Sequence, residues 1–113
     1  MKIVIFSFMC SMMLSCGNGI SFNDSKISEI KIKSVETGKE VTINDKSVIR
    51  VLFNDYVNNN ESYIAKFKGI NHIVFIYEEK EVLLITNETF IKYEGKTYKL
   101  KKDIDEFIKT LYK

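Results

Sequence analysis

The stretch that decides the fold is HIVFIY (72–77) followed by VLLIT (82–86), with EEKE (78–81) between them. Both runs are short, rich in β-branched and aromatic residues, and apolar at consecutive positions. Such runs read as central strands of a sheet covered on both sides. The charged residues Glu78 to Glu81 form the tip of the hairpin that joins them.

Working outward, the same logic fills the rest of the chain. Downstream, Phe90 to Tyr93 and Thr97 to Leu100 form a second hairpin around Glu94, Gly95 and Lys96. A helix from Ile104 to Tyr112 closes the chain. Asp103 and Glu106 have the spacing of a capping box, and Ile104, Phe107, Ile108 and Leu111 give the helix an apolar face. Upstream, Tyr63, Ala65 and Phe67 alternate with Lys66 and Lys68, which predicts a strand that turns at Gly69 to Asn71. Before it, Asn44 or Asp45 caps a helix running to about Val57, with Val48, Ile49, Leu52, Phe53 and Tyr56 along one stripe. The run Asn58 to Asn60 ends that helix. Ile30 and Ile32, then Val41 and Ile43, mark two strands joined by a turn at Thr37 to Lys39, with a bulge expected near Ser34 and Val35. The predicted order is ββ-α-βββββ-α. This is an α+β domain: an antiparallel sheet of about five to seven strands with one internal and one C-terminal helix. With 113 residues and no Pro, the chain has room for one domain, whose turns must come from Gly and Asn.

The N-terminus has a different character. Lys2 is followed by an apolar run from Ile3 to Leu14, too short for the roughly 20 residues of a spanning helix but suited to a secretory leader. The run ends in Met13, Leu14, Ser15 and Cys16, followed by Gly17. This end resembles the lipobox of bacterial lipoproteins. The resemblance implies a signal peptide over residues 1–15, cleavage between Ser15 and Cys16, and a lipid on the Cys16 thiol. Small residues at Ser15 and Gly17 match the pattern, whereas Met13 and Leu14 depart from its commonest form. Ser15 and Gly17 also fit an ordinary signal-peptidase site, which would release a soluble secreted protein, and an uncut leader would act as a short anchor. Cys10 would leave with the leader, so Cys16 would have no disulfide partner. Residues 16–26 are Gly-, Asn- and Ser-rich and read as a lipidated Cys with a flexible tether, ahead of a single domain over 27–113. The segment KIKSVETGKEVTINDKSVI loosely resembles small domains of bacterial lipoproteins of uncharacterised function, which implies an extracytoplasmic domain and assigns no site residue.

Charge and chemistry narrow the function. The chain has 17 basic and 15 acidic residues, and loss of Lys2 with the leader leaves a balance of about +1. That gives no general pull on nucleic acid. His72, the single histidine, begins an apolar strand and has no second His or free Cys to complete a structural zinc site. No nucleophile elbow or phosphate loop occurs. The carboxylate pairs Glu78/Glu79 and Asp103/Asp105 fall at a hairpin tip and a helix N-terminus, where structural roles suffice. The Asn-x-Ser/Thr sites at Asn23, Asn60 and Asn87 are read as coincidental in an Asn-rich bacterial chain.

The remaining surface feature is basic. Lys31 and Lys33, Lys66 and Lys68, and Lys99 and Lys101 sit at alternate positions of predicted strands, with Lys96 and Lys102 nearby. They suggest a comb on one exposed face, serving either as a solvated face that discourages edge pairing or as a contact for anionic headgroups, an acidic polymer or an acidic protein. The resulting expectation is a non-enzymatic binding module without cofactor or metal, anchored to a membrane of the cell envelope. Its partner would be a protein, as for an inhibitor or immunity-type domain. The alternative is a structural accessory subunit of an envelope complex.

Overall fold

A computed structural model describes residues 19–112. The signal peptide, its cleavage site and the lipid attachment at Cys16 lie outside the described residues. The strands are β1 (Ile27–Ser34), β2 (Glu40–Ile43), β3 (Asn60–Ser62), β4 (Asn71–Tyr77), β5 (Lys80–Asn87), β6 (Phe90–Tyr93) and β7 (Lys96–Leu100). Helix α1 (Lys46–Val51) continues as a π-helical stretch over Leu52–Val57, and α2 (Ile104–Leu111) closes the fold. All strands join one seven-stranded antiparallel sheet in the order β2-β1-β4-β5-β6-β7-β3. The α+β class, the antiparallel sheet and both helices are those read from the sequence.

The β4–β5 hairpin sits in the middle of the sheet. Its turn residues Glu78 and Glu79 adopt φ of 50° and 70°, the left-handed pair that a two-residue hairpin turn needs to match strand twist. Ile30, Ile32, Ile73, Phe75, Leu84 and Ile91 fill one face of the sheet and are fully buried. Ile49, Leu52, Phe53 and Val57 cover them from α1 and its continuation, and Ile104 and Ile108 from α2. Asp45 caps α1 by accepting from the Ser47 N–H at 2.9 Å and its hydroxyl at 2.7 Å, which holds the Asp45 carboxyl below its ordinary pKa. The wider π turn, closed by the Asn58 N–H on the Phe53 carbonyl at 2.7 Å, brings Leu52, Phe53 and Val57 to the core together.

Four expectations need correction. The tether read over residues 16–26 is, in its described part, packed on the domain. Phe22 is buried in an aromatic cluster, with ring centroids 5.1 Å from Phe75, 5.3 Å from Tyr77, 5.5 Å from Tyr93 and 6.0 Å from Phe53. Two Asn side chains hold the segment as backbone mimics. Asn60 accepts from the Ile20 N–H at 3.0 Å and donates to the Ile20 carbonyl at 2.8 Å; Asn58 does the same for Phe22, both at 2.8 Å. Second, the third strand lies at Asn60–Ser62, and residues 63–70 form a strap with no ladder of their own. Third, the irregularity in β1 falls between Ile27 and Ile30, while Ser34 and Val35 lead into a turn with Gly38 at φ 77°. Fourth, the central strands are covered by helices on one face only.

Candidate functional site

Directly opposed residues of an antiparallel ladder share a face, so the register defines the surface turned away from the helices. One row runs Thr42, Lys31, Val74, Leu83, and the next runs Glu40, Lys33, His72, Ile85, Lys92, Thr97. Ile76 and Glu81 form a pair beyond them. This outer face therefore has an apolar centre of Val74, Ile76, Leu83 and Ile85, with Lys31 and Lys33 on one side and Lys92 on the other. Leu83 is 46% exposed, and the other three are half-buried.

The strap covers the β5–β7 part of this face. The Tyr63 N–H donates to the Thr97 carbonyl at 3.1 Å, and the Thr97 hydroxyl donates to the Ala65 carbonyl at 3.1 Å. At the other end, Asn87 Nδ2 donates to the Lys68 carbonyl at 2.7 Å and the Ile70 N–H to the Thr86 carbonyl at 3.0 Å. Phe67 stacks on Phe90 at 5.7 Å, and Tyr63 leans on the same ring at 5.7 Å. Gly69 crosses Ile85 so closely that a Cβ would collide with its Cγ2, so the path requires glycine. Ile64, at the outer bend, is 99% exposed. An open hollow of about 650 Å³ lies between the strap and the β6–β7 hairpin, walled by Tyr63, Phe67, Lys66, Lys92 and Lys96. A second, of about 370 Å³, lies over Leu83 and Ile85 and shares Lys92 and Gly95 with the first. The first hollow is edged by lysines, and the second is edged by Lys92 together with Glu81 and Glu94.

The six lysines of the expected comb are not side by side. Lys31 and Lys33 lie on the outer face of β1, and Lys99 lies on the same face of β7 with Nζ 5.4 Å from the Tyr63 ring centroid. Four strand spacings, about 19 Å, separate the two groups. Lys66 and Lys68 are exposed on the strap, and Lys101 follows the end of β7, its N–H on the Asn59 carbonyl at 3.0 Å. Lys92, which strand alternation alone did not single out, lies between the groups.

His72 has Lys33 and Ile85 as ladder neighbours and lines none of the three hollows described here. Among the described residues no group of three or more His, Cys, Asp or Glu could hold a metal ion, and no helix is long and apolar enough to cross a membrane.

One buried polar cluster escaped the sequence reading. Asp105 is 7% exposed and accepts from Asn71 Nδ2 at 2.9 Å and from the Glu88 N–H at 3.1 Å. Its own N–H goes to Asp103, which caps α2, and the Ile104 N–H donates to the Glu88 carbonyl at 2.9 Å. Burial pushes the Asp105 carboxyl above its ordinary pKa, aided by Asp103 and opposed by the Glu88 N–H, Asn71 and Lys109. A cleft of about 310 Å³ beside it is lined by Thr37, Lys39, Asn71, Lys109 and Tyr112, among others. The cluster joins α2 to the β5–β6 turn, where Glu88 has φ 55°, and this is a structural task. Only the spacing of Asn71 and Asp105 in the fold, not their spacing in sequence, reveals it.

Comparison of the chain with protein-family models, with curated proteins and with solved structures gives no match.

Proposed function

We propose that this protein is a small lipid-anchored module of the bacterial cell envelope that binds a protein partner through the outer face of its sheet and catalyses no reaction. The observation that carries the reading is the uncovered apolar centre of that face. Strands β4 and β5 are apolar on both sides, yet helices cover only one, and the strap crosses the other at Ile85, leaving Val74, Ile76 and Leu83 beside it open to a partner. Contiguous exposed apolar surface framed by charge is characteristic of protein–protein contacts. Lys31, Lys33 and Lys92 flank this one, with Glu81 and Glu40 at its margins, so the complementary partner has an apolar centre with acidic groups opposite the lysines. An inhibitor-type task fits a small domain held near its membrane, with Cys16 as the lipid attachment that the lipobox resemblance implies.

The test is site-specific photocrosslinking in intact cells. A crosslinker at Leu83 should capture a discrete protein, and Lys31→Glu with Lys33→Glu should abolish the capture. A crosslinker at the exposed Lys109 on α2 should not reproduce it. No adduct from Leu83, or an adduct indifferent to the charge reversal, would defeat the reading.

A further inference from the structure

We infer that the β3–β7 edge of the sheet is the surface this domain lays against an anionic bilayer, so that the sheet stands on edge with its outer face open sideways. The inference rests on the lipid attachment at Cys16 proposed above. Its first support is chain length. Ile20 is fixed to Asn60 by two hydrogen bonds, and Phe22 is buried in the core. Only four residue steps separate Cys16 from Ile20, a reach of at most about 14 Å. The anchor therefore keeps the edge at Asn60 within about 14 Å of the lipid attachment.

The second support is charge. Asn60 is the ladder partner of Leu100, so Lys99, Lys101 and Lys102 lie within two residues of the exit point. All three are exposed. Lys99 lies over Tyr63, and Lys102 Nζ lies 5.8 Å from the Tyr56 ring, which stacks on Phe107 at 5.1 Å. The acids close by include Glu61, opposite Lys99 in the ladder, Asp55, Asp103, whose carboxylate is turned to the α2 cap, and Glu88, whose carbonyl accepts from the Ile104 N–H. Lysines backed by aromatic rings suit an interface that has anionic headgroups above and apolar chains below. The opposite edge, β2, is six strand spacings away, about 29 Å, and its turn residue Glu36 would face away from the bilayer.

The experiment uses the lipidated protein in vesicles of phosphatidylglycerol and phosphatidylcholine carrying a headgroup quencher. A fluorophore is placed on Lys101→Cys or on Glu36→Cys, after mass spectrometry has established the acyl chains on Cys16. The label at 101 should lose most of its emission and the label at 36 should keep its own. Lys99→Glu with Lys102→Glu should reduce the quenching at 101. Equal quenching at both positions, or a difference untouched by the charge reversal, overturns the orientation while leaving the anchor intact. A Cys16 without acyl chains overturns both the anchor and the orientation.

Discussion

At the scale of single residues, Asp105 sets a pH dependence. Its folded carboxyl titrates above the ordinary value of 3.8 because burial disfavours the charge. Between pH 3.8 and its raised pKa the folded state therefore holds a proton that the unfolded state has released. The stability contributed by Asp105 is full below that pH and is lost as pH rises through the raised pKa. Chemical denaturation of the wild type and of Asp105→Asn across this range should show the wild type losing stability relative to the variant as pH increases; parallel curves would refute the assignment. Glu79 carries a local strain of a different kind. Its φ of 70° belongs to glycine and asparagine, and no hydrogen bond or ion pair described here involves its side chain. Glu79→Gly should stabilise the fold by about 1 kcal/mol, measured as a shift of the urea midpoint with unchanged slope. The neighbouring Lys26–Glu78 pair at 3.0 Å is exposed on both sides and adds little.

At the scale of elements, the segment from Gly19 to Lys26 tests whether the helical layer has been understood. If Phe22 fills the core as described, Phe22→Ala removes a ring from a closed aromatic cluster and should cost about 3–5 kcal/mol. A true tether residue would cost almost nothing, so the melting temperature decides between the two. This segment also shows where sequence patterns stop being informative. Six of the seven strands and both helices were legible because each repeats an apolar residue at its own period, and Asp45 and Asp103 announced the helix starts; β3, whose residues Asn60, Glu61 and Ser62 are all polar, gave no such signal. Residues 19–26 have no period. Their order comes from Asn58 and Asn60, which look like an ordinary helix stop and instead pair with backbone 36 and 40 residues away. The strap misled for a related reason: Tyr63 and Phe67 do alternate with polar residues, but they use the alternation to pack on Phe90 and not to build a ladder. The lysine comb failed on distance. Alternation gives the face of a lysine within its strand and says nothing of how many strands lie between β1 and β7.

At the scale of the whole molecule, the proposals converge on one arrangement. In the proposed arrangement the apolar outer face flanked by Lys31, Lys33 and Lys92 receives a protein partner, and Ile20 lies against Asn60 at the β3–β7 edge. Leu83→Glu should leave the melting temperature nearly unchanged, since the side chain is 46% exposed, while abolishing partner crosslinking. A large drop in stability would mean that Leu83 serves the fold rather than a partner. The arrangement depends throughout on the anchor at Cys16. Mass spectrometry of the N-terminal peptide from the membrane fraction tests it most directly. The account predicts a mature chain that begins at Cys16 and carries a thioether-linked diacylglyceryl group, absent from a Cys16→Ala variant. An unmodified N-terminus at Asn18, or acyl labelling that persists in Cys16→Ala, would contradict it.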